Sequence, residues 1–172
     1  NHPAGPECRQ QGTSPPDGKY PRPDGSGRTD IAGGGNGAAF TECKNFGKVS
    51  CNTTEAAGGG TNIGGIIGLS NANFCGLMKD CSNSGELINT GKTSGEIRMG
   101  GCIAFVQNLE ATIEGFVNTG KVVNEFETSA PNMLGGVAGR LLAKGVEQTI
   151  SGWQNSGVVY SRSNASDKAG GV

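Results

Sequence analysis

The cysteines are the first residues in the sequence that could do chemistry. An even set of six is present, at Cys8, Cys43, Cys51, Cys75, Cys81 and Cys102. No two of them form a C-x-x-C pair, and the only histidine is His2 near the terminus, so the sequence predicts no metal site. Six cysteines in a chain of 172 residues instead favour disulfides, with fifteen connectivities open. Disulfides persist in oxidising compartments, and we therefore expect an extracellular or cell-surface protein.

Two segments match the acceptor pattern for N-glycosylation. Asn52 opens Asn-Thr-Thr and Asn164 opens Asn-Ala-Ser, and both fit N-x-[ST]. A pattern this short also arises by chance in a chain rich in Asn, Ser and Thr. The two acceptors agree with the compartment that the cysteines indicate and predict a glycoprotein.

The search for catalytic groups finds only weak candidates. The sequence holds no G-x-S-x-G and no H-E-x-x-H motif. Residues 85–93 resemble a phosphate-binding loop but have five intervening residues where that loop has four. Glu110 with Glu114, and Glu125 with Glu127, are the close acidic pairs within the repeats, and a solvated edge explains them better than a catalytic pair. We predict no enzyme, no catalytic residue and no cofactor.

Composition excludes two further classes. The net charge is -1, whereas a nucleic-acid binder needs a basic surplus to neutralise phosphates. No stretch of about twenty apolar residues is present to span a membrane as a helix. With 32 glycines and 34% apolar residues, the chain is poor in large side chains for an ordinary core, which favours a repetitive architecture.

The pattern N-x-G recurs four times at a nearly constant interval. Its asparagines are spaced by 38, 35 and 37 residues, at Asn45, Asn83, Asn118 and Asn155, and its glycines are Gly47, Gly85, Gly120 and Gly157. A second block, Gly-Gly followed by an apolar residue or Cys, begins at Gly64, Gly100, Gly135 and Gly170. Because two independent blocks share one period, the sequence predicts about four repeats of 35–38 residues.

Each repeat suits strands better than helices. Glycine in a helix interior costs roughly 1 kcal/mol relative to Ala, whereas a coil of strands uses glycine at corners that need a positive φ. We therefore predict an all-β protein, a β-solenoid (β-helix), in which equivalent residues stack at about 4.8 Å. The asparagines form a ladder, and the N-x-G glycines let the chain turn. The expected inward columns are Cys43, Cys81, Phe116 and Trp153, and Val49, Leu87, Val122 and Val159.

One disulfide follows from this stacking. Cys43 and Cys81 occupy equivalent positions in neighbouring repeats, and a Cα separation near 5 Å lies within disulfide range. This pair is the candidate bridge if one repeat makes one turn, and Cys75 is the main competitor for Cys81. The other cysteines stay unassigned.

The two ends of the sequence differ. Residues 1–31 hold six of the seven prolines and predict an irregular N-terminal segment, either a flexible arm or a folded-back cap tethered by Cys8. Residues 32–172 form the repeat domain. The last residues, 169–172, open another unit, which predicts either that the chain continues or that this end docks head to tail on a second copy.

The Gly-rich segments at 64–68 and 135–139, with the N-x-G-x-[Val/Leu] segments, resemble GLUG-type repeats of secreted or surface-attached bacterial and protist proteins. The resemblance covers roughly residues 32–172. It implies a surface or adhesion role and carries over no catalytic residue. The sequence thus predicts a structural or adhesive repeat protein with a glycan or surface ligand, and the alternative is a carbohydrate-binding or polysaccharide-cleaving β-helix.

Overall fold

The computed structural model describes residues 9–11, 28–29, 39–52, 61–70, 77–92, 95–107, 110–126, 130–143, 145–162 and 167–172. These residues contain short β-strands and no helix. The first strands are β1 (Arg9–Gln11), β2 (Arg28–Thr29), β3 (Ala39–Thr41), β4 (Lys44–Asn45), β5 (Val49–Cys51), β6 (Thr61–Gly64), β7 (Ile67–Ser70), β8 (Leu77–Lys79), β9 (Ser82–Asn83) and β10 (Leu87–Asn89). The later ones are β11 (Ile97–Gly100), β12 (Ile103–Gln107), β13 (Ala111–Glu114), β14 (Val117–Asn118), β15 (Val122–Asn124), β16 (Asn132–Gly135), β17 (Ala138–Leu142), β18 (Gln148–Ser151), β19 (Gln154–Asn155), β20 (Val159–Ser161) and β21 (Asp167–Gly170).

The strands assemble into five sheets. Their strand orders are β1-β3-β8-β13-β18, β4-β9-β14-β19, β5-β10-β15-β20, β2-β6-β11-β16-β21 and β7-β12-β17. Neighbouring strands are parallel except β1, which runs antiparallel to β3. Val49 pairs with Leu87, Leu87 with Val122, and Val122 with Val159, so the sequence period is the pairing register. The predicted all-β class is confirmed.

In-register pairing places like side chains in columns that fill two apolar clusters. One cluster contains Phe40, Cys43, Met78, Cys81, Ile113 and Phe116, and the other contains Leu87, Ile97, Met99, Val122 and Leu134. The ring centroids of Phe116 and Trp153 lie 6.3 Å apart, as expected for neighbours in one column. Short β-branched and aliphatic segments suit this arrangement because each strand buries its residues against the equivalent residues of its neighbours.

Two segments of the chain cross between the two apolar clusters, one at a Gly-Gly block and one at an N-x-G asparagine, and these segments contact each other. Gly65 lies between Ile63 of one cluster and Ile66 of the other, and Asn83 lies between Cys81 and Leu87. A Cβ added to Gly65 would come within 3.0 Å of the side chain of Asn83. The same contact recurs between Gly101 and Asn118, and between Gly136 and Asn155. The two sequence blocks that share a period therefore pack directly on each other.

Left-handed corners occur at a position that the sequence analysis did not identify. They lie at one equivalent position in four successive strand sets, at Glu42 (φ 55), Asp80 (φ 52), Gly115 (φ 65) and Gly152 (φ 66). The four N-x-G glycines do not adopt the left-handed conformation. They are required by close approach, since a Cβ on Gly85 would overlap the carbonyl oxygen of Gly47.

Replacing Glu42 with glycine is expected to stabilise the protein. The left-handed conformation costs an L-residue about 1–2 kcal/mol, and glycine's greater loss of chain entropy offsets about 0.5–1 kcal/mol of that gain. The Glu42 side chain is exposed, so we expect Glu42→Gly to raise the free energy of unfolding by roughly 0.5–1 kcal/mol. Thermal unfolding measures the gain, and Glu110→Gly is the control because Glu110 is exposed without being left-handed. Equal melting shifts in the two variants would contradict the corner assignment.

The two ends of the sheets are covered differently. Within the predicted irregular segment 1–31, β1 pairs with β3 and β2 pairs with β6, so these residues lie on sheet edges. At the opposite edge, β17, β18, β19, β20 and β21 are the outermost described strands of the five sheets. Cys8, the predicted tether, lies outside the described residues.

Candidate functional site

The structure brings the four N-x-G asparagines together as a ladder. Asn45 Nδ2 donates to Asn83 Oδ1 at 2.7 Å, Asn83 Nδ2 to Asn118 Oδ1 at 2.8 Å, and Asn118 Nδ2 to Asn155 Oδ1 at 2.9 Å. Each amide also donates to the carbonyl of the motif glycine two residues later. Asn83 and Asn118 are fully buried, and their buried amide groups are satisfied by one another and by the backbone.

A second, shorter ladder was missed by the sequence analysis. Asn89 Nδ2 donates to Asn124 Oδ1 at 2.9 Å, and Asn124 Nδ2 donates to the Ser161 hydroxyl at 3.4 Å. Both asparagines are buried. Asn89-Thr90-Gly91 was available as an N-x-G signal, but the equivalent segment at 124–126 is Asn-Glu-Phe, so the pattern does not recur. The segment that resembles a phosphate loop thus contributes a residue to this ladder.

The state of the cysteines differs from the predicted disulfide pairing. Cys43 is disulfide-bonded, whereas Cys81, Cys51 and Cys102 keep thiols, so the predicted Cys43–Cys81 bridge is wrong. Residues in register on parallel strands have Cβ atoms about 4.8 Å apart, and a disulfide needs about 3.5–4.5 Å. The Cys81 thiol instead donates to the carbonyl of Lys79 at 3.3 Å. Cys75, the competitor, lies outside the described residues.

The Cys102 thiol is buried and unreactive at neutral pH. Burial, with a smaller contribution from Cys81, raises the pKa of Cys102 to about 12. Its Sγ donates to the carbonyl of Val117 at 3.5 Å. A thiol with this pKa stays protonated at neutral pH, so Cys102 does not serve as a nucleophile there.

The structure describes four of the other residues named from the sequence. Asn52 is exposed, and Asn164 lies outside the described residues. Glu110 is exposed, and Glu114 forms an ion pair with Lys79 at 3.7 Å. Glu125 is exposed, and Glu127 lies outside the described residues. The ion pair of Glu114 is the kind of solvated surface contact that the sequence analysis favours for these acids.

A cluster of charged and aromatic residues lies between two sheets, outside both apolar clusters. We name it the arginine cluster: Glu96, Arg98, Phe105 and Arg140. Arg98 is on β11, Phe105 is on β12, and Arg140 pairs with Phe105 from β17. A Cβ on Gly100 would overlap the carbonyl oxygen of Ile103, so the two sheets approach closely beside the cluster.

Both guanidinium groups use the same ring and the same carboxylate. Arg98 Cζ lies 4.6 Å and Arg140 Cζ 5.2 Å from the centroid of the Phe105 ring. Glu96 Oε2 contacts Arg98 Nη2 and accepts from Arg140 Nη1 at 3.0 Å. Arg98 Nη1 also donates to Asn62 Oδ1 at 3.3 Å. Two cations and one carboxylate leave this cluster with a net positive charge.

The arginine cluster retains hydrogen-bonding capacity toward an anion. Arg98 Nε is buried and makes no hydrogen bond within the described part of the chain. The Arg98 side chain is 15% exposed and that of Arg140 is 30% exposed, so both are reachable from solvent. A guanidinium carries five N–H donors whose geometry matches carboxylates and sulfates. Sequence reasoning missed this cluster because its residue types do not recur at the equivalent positions of other repeats, where Asn62 matches Arg98 and Leu69 matches Phe105.

Two further features are absent from the described residues. No described helix is long and apolar enough to cross a membrane. Among the same residues, no group of three or more His, Cys, Asp or Glu side chains gathers as metal ligands.

Comparison with known proteins returns no relative: no family model, no curated protein and no solved structure matches the chain. The resemblance to GLUG-type repeats therefore stays a prediction made from the sequence motifs.

Proposed function

We propose that this protein is a β-solenoid of about four turns, related to GLUG-type repeats, that serves as an extracellular or cell-surface structural and adhesive element. The single observation that supports the proposal best is the constant pairing interval. Parallel partners lie 34 to 38 residues apart, as in Arg28 with Asn62 and Asn45 with Asn83. A stack of this kind buries each repeat only against its neighbours and yields a rigid, extended surface.

Self-association is the form of structural role that we propose. Strands β17 to β21 are the outermost described strands of all five sheets on one side, and the edge of a sheet is a template for further strands. Ile150 and Tyr160 on these strands are 42% and 49% exposed, whereas Ile113 and Met78, which share a column with Ile150, are fully buried. The partner is a second copy of this chain, whose first repeat covers this edge head to tail.

Sedimentation velocity over a range of protein concentrations tests the association. The unmodified chain is expected to form concentration-dependent oligomers. Ile150→Lys should abolish them because it places a charge in the column that the second copy covers. Thr149→Lys is the matched control, since Thr149 is exposed on the same strand and alternate residues of a strand point to opposite faces. A monomer at every concentration, or equal behaviour of the two variants, would refute the association.

Carbohydrate binding is the second candidate function. The observation that favours it is the arginine cluster, which combines two guanidinium groups with a net positive charge. An extracellular glycoprotein with an accessible acceptor at Asn52 would operate among glycans. Binding to a glycan panel, scored separately from cleavage, distinguishes a binder from an enzyme.

A further inference from the structure

We propose that the arginine cluster is a binding site for acidic polysaccharides whose sugars carry carboxylates. The inference deepens the adhesive half of the proposed function by naming the ligand class. The structure already holds one carboxylate in the required position, because Glu96 Oε2 contacts the guanidinium groups of both Arg98 and Arg140. A ligand carboxylate would bind the remaining donors or replace Glu96.

The cluster offers donors that Glu96 does not use. Arg98 Nε has no hydrogen-bond partner within the described residues, although leaving a buried N–H unpaired is unfavourable. Arg140 contacts Glu96 through Nη1 and lies over the Phe105 ring. An incoming anion would bind the donors that Glu96 leaves, and the contact of both guanidinium groups with the Phe105 ring keeps them in place for it.

Three cationic side chains lie on successive levels of two neighbouring sheets. Arg98 pairs with Met133, and Met133 pairs with Lys168, so Lys168 occupies the Arg98 column two strands further on. Arg140 lies on the strand between them in the neighbouring sheet. Successive parallel strands are about 4.8 Å apart, so Arg98, Arg140 and Lys168 offer one positive charge at each of three levels. A linear chain with a repeated carboxylate matches this row.

Nucleic acid fits the cluster less well. Single-stranded nucleic acid is bound by stacking its bases on open aromatic faces, but Phe105 is buried beneath the two guanidinium groups. The protein also has a net charge of -1 and lacks the general basic surplus that phosphate backbones require.

Binding to polygalacturonate, measured by biolayer interferometry with the full chain, tests the proposal. We expect binding that weakens as the salt concentration rises from about 50 to 500 mM and no binding to the neutral glycan dextran. Arg140→Gln should weaken the affinity about tenfold, and Lys168→Gln should weaken it less. Lys121→Gln is the matched control, because Lys121 is exposed and lies between β14 and β15 rather than on the strands that carry the cluster, and it should leave the affinity unchanged.

Glu96→Gln separates a binding site from a structural ion pair. The variant removes the competing carboxylate while keeping the side-chain shape, so a binding site gains affinity severalfold. A purely structural cluster gains none and only lowers the melting temperature. Circular dichroism verifies that each variant is folded, and Arg140→Gln remains informative if Glu96→Gln unfolds.

Three results would overturn the proposal. The first is no binding of polygalacturonate, and the second is an equal effect of Arg140→Gln and Lys121→Gln. The third is equal or tighter binding to heparin or to a thymidine oligonucleotide, which would assign the cluster to sulfated chains or to nucleic acid instead. Self-association is measured separately through Ile150→Lys, so the proposed assembly and this binding site can fail independently.

Discussion

Asn118→Leu is expected to destabilise the protein by about 3 kcal/mol or more, because three polar groups, two of them buried, each lose a hydrogen bond at once. Asn118 Oδ1 accepts from Asn83, and its Nδ2 donates to Asn155 and to the carbonyl of Gly120. Leucine supplies neither the donor nor the acceptor, and its branched carbons would press on the backbone of Gly101. Urea denaturation followed by circular dichroism gives the change in the free energy of unfolding.

Asn155→Leu is the matched control for this prediction. Asn155 belongs to the same ladder but is only partly buried, and its contact within the ladder is with Asn118 alone. We expect a loss of about 1 kcal/mol, because the exposed groups can bond to water. A ladder that contributes nothing to stability would make the two leucine variants indistinguishable.

Gly101→Ala is expected to be as damaging as the loss of the ladder. A Cβ at this position would lie less than 3.0 Å from the carbonyl oxygen of Gly136 and from the Asn118 side chain. The first neighbour is backbone and the second is held by three hydrogen bonds, so neither can move without breaking the sheet. Overpacking of this kind typically costs 1–3 kcal/mol, and we expect about 3 kcal/mol or more because two ordered elements are displaced.

Gly171→Ala tests whether the destabilisation expected of Gly101→Ala comes from the lack of space for a Cβ atom rather than from the loss of glycine's conformational freedom. Gly171 is the equivalent second glycine of the last Gly-Gly block, and a Cβ there would meet nothing within 4 Å. The substitution should change the free energy of unfolding by less than about 0.5 kcal/mol. A large loss at Gly171, or none at Gly101, would contradict the close packing of the glycine block against the asparagines.

The sequence predicted the all-β class and the register well, because a repeated pattern and in-register pairing are the same property. The columns of Val49, Leu87 and Val122 could be written down from spacing alone. The left-handed corner could not, since two repeats fill it with Glu42 and Asp80 and only the other two reveal a glycine. The disulfide was predicted wrongly because spacing fixes which residues are neighbours but not the distance between their Cβ atoms.

The arginine cluster could not be predicted from the repeated pattern. Arg98, Phe105 and Arg140 occupy positions whose equivalents in other repeats are different residue types, such as Asn62 for Arg98 and Leu69 for Phe105. A periodicity analysis discards such positions as variation. These residues come together only in the folded sheets, so the candidate site could be identified from the structure but not from the sequence repeat.

The asparagine ladder also gives the molecule a direction. Each amide from Asn45 to Asn118 donates toward the C-terminal edge, and the acceptors are Asn83, Asn118 and Asn155. Asn155 Nδ2 therefore points a donor outward at one end, while Asn45 Oδ1 offers an acceptor at the other. Two copies that met through their C-terminal edges would oppose donor with donor, so any assembly extended through the ladder is polar and all its subunits face the same way.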